Sequence, residues 1–99
     1  MKPLQQRFDE ILAKAMKERG DRQEFIPDPH DTHQNPAWVL FERQTMHDTV
    51  NAERQARGLQ PIPISAVVRV ERCASGHVDY QRKFALYCAE LVLGEWRGA

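Results

Sequence analysis

Residues Phe84 to Leu93, FALYCAELVL, hold nine apolar side chains and a single Glu90, with no turn former among them. A helix that is apolar on nearly every side has to be surrounded by protein. In a chain of 99 residues, either the other helices wrap it completely or a second molecule covers what they leave bare. Asp79 stands just upstream, where a cap belongs, so the pattern predicts a helix from Tyr80 to about Trp96. A chain of this size fits one domain, residues 1–99, and buries roughly two-thirds of its unfolded surface.

The remaining pattern is also helical. From Pro3 to Arg19, the apolar residues Leu4, Phe8, Ile11, Leu12, Ala15 and Met16 recur at helical spacing, and Gly20 is a ready stop. Residues 21–35 have no period and contain two prolines, so they read as a long loop in which Phe25 and Ile26 are candidate anchors. Asn35-Pro36 opens a second helix that runs to Gly58. Its stripe is Trp38, Phe41, Thr45, Thr49 and Ala52, with Val39, Met46 and Val50 beside it. The opposite face carries Arg43, Gln44, His47, Asp48, Asn51 and Arg54. Glu53 and Arg57 are spaced for an ion pair across one helical turn.

Residues 59–64 form a proline-punctuated connector. After it, Ile62, Ile64, Ala66, Val68 and Val70 alternate as a strand would. Ser65 is nevertheless a good cap, and Val67, Val70 and Ala74 share a helical face. A lone strand would leave an unpaired edge, so a short helix from Ser65 to Ser75 is favoured. The expectation is an all-α fold: a compact bundle of about four helices, with a long loop after the first and a buried C-terminal helix.

Charge narrows the function. Fourteen basic residues balance fourteen acidic ones, whereas phosphate-backbone binding usually leaves a basic excess. That argues against nucleic acid as the partner. A net charge of zero also removes the repulsion that keeps small domains apart, which leaves room for a homodimer. The N-terminal stretch is amphipathic and charged, with neither a signal-peptide core nor a membrane span. A cytoplasmic location follows as the expectation, with Cys73 and Cys88 as reduced thiols.

The run Trp38 to Leu59, WVLFERQTMHDTVNAERQARGL, followed by Val70 to Leu91, VERCASGHVDYQRKFALYCAEL, resembles small proteins of unknown function encoded by tailed bacteriophages and prophages. The resemblance covers about half the chain and rests mainly on GHVDYQRKFALYCAEL and the ARGL turn. It implies no activity. It implies an accessory protein working in a bacterial host cytoplasm, either blocking a host factor or serving the particle or its assembly. The first helix and the histidine-bearing loop lie outside it.

Residues that could carry chemistry are few. The junction Gly76-His77-Val78-Asp79-Tyr80-Gln81-Arg82-Lys83 places two cations in the first turn of the last helix, against its dipole. Asp79, Glu71, a bound anion or an acidic partner surface could compensate them. The expected contact residues for a partner are His77, Asp79, Tyr80, Arg82 and Lys83 at this junction. Arg43, His47 and Arg54 on the second helix join them, with Trp96 near the C-terminus.

His30 and His33, with Cys73 and His77, have spacings that would let pairs share a zinc ion, but not in an established arrangement. No metal or cofactor is therefore assigned, and the metal-stabilised module is kept as an alternative. Glu42, His47, Asp48, His77, Asp79 and Tyr80 are suited to acid–base work, yet none lies in a nucleophile or phosphate-loop motif. The chain is read as non-catalytic. The leading function is a protein-binding protein that acts on a host or virion protein. The runner-up is a helical nucleic-acid-associated protein using Arg54, Arg57, Arg69, Arg72, Arg82 and Lys83.

Overall fold

The computed structural model describes the backbone of residues 2–21 and 36–98 and the side chains of 2–18 and 40–98. Four α-helices account for most of it: α1 (Leu4–Asp21), α2 (Pro36–Ala56), α3 (Ile64–Ala74) and α4 (Tyr80–Leu93). There is no strand among the described residues, and the alternating 62–70 stretch is helical from Ile64 onward. The expected loop beyond Asp21, with Phe25, Ile26, His30 and His33, lies outside the described residues. So do the Asn35 cap and the side chains of Trp38 and Val39.

Side-chain pairings give the helix directions. Arg7, near the start of α1, pairs with Glu53 near the end of α2. Arg43 reaches Glu71, while Asn51 reaches back to Ile62, so α3 also runs against α2. Tyr80 meets Glu42, and Arg54 meets Leu91, so α4 runs with α2. The helices therefore run up, down, up and down. Both α2 and α4 touch all three other helices, and α1 and α3 flank them without meeting.

The core is the shared face of these four elements. Phe8 and Leu12 come from α1, Met46 and Val50 from α2, Val67, Val70 and Ala74 from α3. Helix α4 supplies the largest share: Phe84, Ala85, Cys88, Ala89 and Val92. Its neighbours nevertheless do not wrap it on every side as its composition suggests. Leu93 is 49% exposed, and Leu86, Tyr87 and Leu91 are only half-buried. Three packing partners line one broad arc of a helix and leave the remainder open.

The helix ends differ from the sequence reading in four places. Helix α1 continues through Gly20 to Asp21. Helix α3 starts one residue earlier than expected, with Pro63 at the cap position, so Ser65 lies inside its first turn. Asp79 does hold the cap position of α4, but its side chain makes no capping hydrogen bond. Helix α4 stops at Leu93 rather than near Trp96, because Gly94 turns left-handed at φ 72°. The Gly94 N–H then donates to the Leu91 carbonyl at 3.2 Å and the Glu95 N–H to the Glu90 carbonyl at 2.8 Å, the six-residue closure typical of such stops. Trp96 folds back so that its ring lies 6.3 Å from that of Tyr87. An added Cβ at Gly94 would meet nothing within 4 Å, so the cost of Gly94→Ala is purely conformational. It should lower stability by about 1 kcal/mol, read as a shift in denaturant midpoint. An unchanged midpoint would mean that the helix end is not held as described.

Helix α2 is rotated from its expected register. Its buried line is Glu42, Met46 and Val50, while Ala52 is exposed. Arg43, His47, Asn51 and Arg54, expected on the open face, are half-buried. A helix with neighbours on three sides has to bury a wider arc than one apolar stripe provides. Polar side chains in that arc are tolerated only when hydrogen-bonded.

Glu53 forms the predicted pair with Arg57 at 2.8 Å and also bridges to Arg7 of α1. The Arg57 hydrogen bond, helped by Arg7, holds the Glu53 carboxyl below its ordinary value of 4.5. A depressed carboxyl contributes stability that is whole above its unfolded value and is lost as pH falls through the lowered one. Acid titration of the folded chain should therefore show an unfolding limb below pH 4.5 that is shallower in Glu53→Gln. Identical limbs would remove Glu53 from the link between α1 and α2.

Candidate functional site

Residues 75–79 turn the chain from α3 into α4. The turn is built on the end of α3: the Ser75 N–H donates to the Glu71 carbonyl at 2.9 Å and the His77 N–H to the Ala74 carbonyl at 3.0 Å. The Ser75 hydroxyl donates to the Arg72 carbonyl at 2.9 Å. With the backbone held this way, Val78 projects wholly into solvent, at 109% relative exposure. Beneath it a crevice opens between the turn and α1, lined by Asp9, Met16, Val78, Gln81 and Arg82 among others. The Gln81 amide donates to the Asp9 carbonyl at 3.4 Å across it. Asp9 Oδ1 is buried there without a hydrogen-bond partner.

The residues expected to meet a partner divide into two groups. Several are engaged inside the fold. Arg43 Nη2 lies 2.8 Å from Glu71 Oε2, with side-chain exposures of 17% and 3%. His47 Nε2 lies 3.0 Å from the Ile62 carbonyl oxygen. Asn51 holds the same residue at both ends, its Oδ1 accepting from the Ile62 N–H at 2.8 Å and its Nδ2 donating to the Ile62 oxygen at 3.1 Å.

Arg54 has a similar task. Its Nε donates to the Gln60 carbonyl at 2.6 Å, and its Nη1 donates to the Leu91 and Val92 carbonyls at 2.9 and 3.2 Å. One guanidinium thus closes the C-terminus of α4 and ties the 59–63 connector to it, the use expected of a cation at that end of a helix. Arg43, His47 and Arg54 read from sequence as an outward polar face, and the structure turns them inward.

Tyr80 donates its hydroxyl to Glu42 Oε2 at 3.0 Å. Trp96 is half-buried, with the Arg69 guanidinium 5.7 Å from the ring centroid.

The second group stays at the corner. Among the described residues, the side chains of Arg72, His77, Asp79, Arg82 and Lys83 make no ion pair or hydrogen bond. Asp79 neither caps α4 nor pairs with Lys83, although the two are four apart. The sequence reading passed over Val78 and Asp9. Val78 had a signal: it is an apolar residue between a glycine and the Asp79 cap position, off any helical period. Asp9 had none, because its crevice exists only once α1 meets the turn.

Other chemistry finds little support in the placements. Cys88 is buried in the core, and burial pushes its thiol up, so it stays protonated. Cys73 is half-buried, and the two thiols are not bonded to each other. No three His, Cys, Asp or Glu side chains gather to hold a metal ion among the described residues. There too, no helix is long and apolar enough to cross a membrane. No family model, curated protein or solved structure matches the chain.

Proposed function

We propose that this chain is a small non-catalytic protein-binding protein that works by seating the turn between α3 and α4 on a partner's surface. One observation carries the reading. Five polar side chains of residues 72–83 make no ion pair or hydrogen bond among the described residues, and the same segment carries a wholly exposed valine. An apolar tip on a segment with unpaired charges suits an interface that desolvates the tip and pairs the charges. The likeness of Trp38–Leu59 and Val70–Leu91 to small phage and prophage proteins supports a host or virion protein as that partner. The task would then be inhibition of a host factor or a role in the particle or its assembly.

The nucleic-acid reading loses Arg54 to carbonyl oxygens and Arg57 to Glu53, which thins its basic surface. The test is capture from a bacterial lysate on the immobilised chain, with mass-spectrometric identification, alongside a Val78→Asp variant. Recovery of one protein, lost with Val78→Asp while circular dichroism is unchanged, is the expected result. Capture indifferent to Val78→Asp would remove this corner as the contact.

A further inference from the structure

Resting on that protein-binding reading, we infer that the partner surface covering the corner is acidic and carries an apolar hollow that receives Val78. Among the described residues, three cations of residues 72–83, Arg72, Arg82 and Lys83, have no carboxylate partner, against the single carboxylate of Asp79 in that segment. Elsewhere Lys2, Arg7, Arg43 and Arg57 each meet a carboxylate and Arg54 meets carbonyls, whereas Lys14 and Lys17 on α1, like the corner cations, form no ion pair among the described residues.

The charges at the corner are also placed at a cost. The first turn of α4 contains no acidic residue, so Arg82 and Lys83 face the positive end of the helix dipole. A cation so placed is disfavoured by that end of the dipole. Asp79 sits within reach in sequence, yet it engages neither cation. The corner thus holds cations that no carboxylate pairs among the described residues, and carboxylates from a partner would relieve them.

Val78 decides between the two anionic classes. A nucleic-acid backbone offers phosphates to the cations but no pocket for a protruding valine, and it would meet the Asp79 carboxylate unfavourably. An acidic protein surface with a central hollow satisfies both features. Charge pairs of this kind chiefly raise the association rate and make it sensitive to salt.

The experiment compares wild type, Val78→Asp, Arg82→Glu/Lys83→Glu and a control, Lys14→Glu/Lys17→Glu. The control lysines lie on α1 and likewise form no ion pair among the described residues. All four are measured against the protein identified by lysate capture, at low and high salt, and against a short DNA duplex. The five substituted positions make no side-chain ion pair or hydrogen bond among the described residues, so circular dichroism should be common to the set.

The expected result is about tenfold weaker binding for Arg82→Glu/Lys83→Glu and a comparable weakening at high salt, with the control unchanged. Reversing acidic residues of the captured protein to lysine should restore its binding to the Arg82→Glu/Lys83→Glu chain. Binding abolished by Val78→Asp but indifferent to charge reversal and salt would overturn the acidic partner while leaving the protein-binding reading intact. Indifference to all the variants would overturn both. Duplex retained by wild type and lost on charge reversal would assign the corner to nucleic acid and overturn this inference.

Discussion

Phe84→Ala is expected to lower the folding stability by about 4 kcal/mol. Phe84 is 0% exposed and sits where α4 meets the rest of the apolar cluster, its ring 5.7 Å from that of Tyr80. Truncation removes a large buried hydrocarbon surface and leaves a void that flanking helices close only in part. A domain of this size has roughly 5–15 kcal/mol in hand, so the variant should be largely unfolded in modest denaturant. Urea titration followed by circular dichroism measures it. A loss below about 1.5 kcal/mol would show that α4 is not the centre of the bundle.

The second large effect concerns charge rather than volume. Arg43→Met should cost about 3 kcal/mol, because it strands the Glu71 carboxylate, whose side chain is 3% exposed, without its cation. For a chain of this length that corresponds to a fall in melting temperature of roughly 15 °C. Adding Glu71→Leu should recover most of the loss, since an apolar pair of similar volume often replaces a buried ion pair without penalty. The comparison of single and double variants separates a stranded charge from lost packing. Equal destabilisation in both would mean that Arg43 acts through its hydrocarbon stem. A single variant as stable as wild type would mean that water reaches Glu71.

Arg43 also shows where sequence reasoning stops. On α2 it falls on the side opposite the Phe41–Thr45–Thr49 stripe, so periodicity assigns it to solvent. Its partner Glu71 is 28 residues away on another helix, and nothing local announces the pair. The same holds for His47 and Asn51 on Ile62, and for Arg54 on the carbonyls closing α4. Each of these polar groups is buried by an element that becomes its neighbour only through packing.

Local features fared better where a residue's own chemistry decides its conformation. Pro36 starts α2. Gly58, at φ 71°, lets the Leu59 N–H close onto the Arg54 carbonyl. Glu53 and Arg57 meet because one helical turn brings them together. Asp79 was half legible: position and residue type mark a cap, but the orientation of its carboxylate depends on the turn. The candidate corner was read in outline from His77 to Lys83. Its exposed tip and the crevice behind it needed the approach of α1.

From sequence alone came the all-α class, the extent of each helix to within a few residues and the greasy character of the last one. These follow from spacing and from proline and glycine, which act over one or two turns of chain. Tertiary structure decided which face of α2 is buried, which cations are consumed in holding the molecule together and which are left outside. Those outcomes depend on contacts between residues far apart in the chain, where burial penalises a polar group that finds no partner.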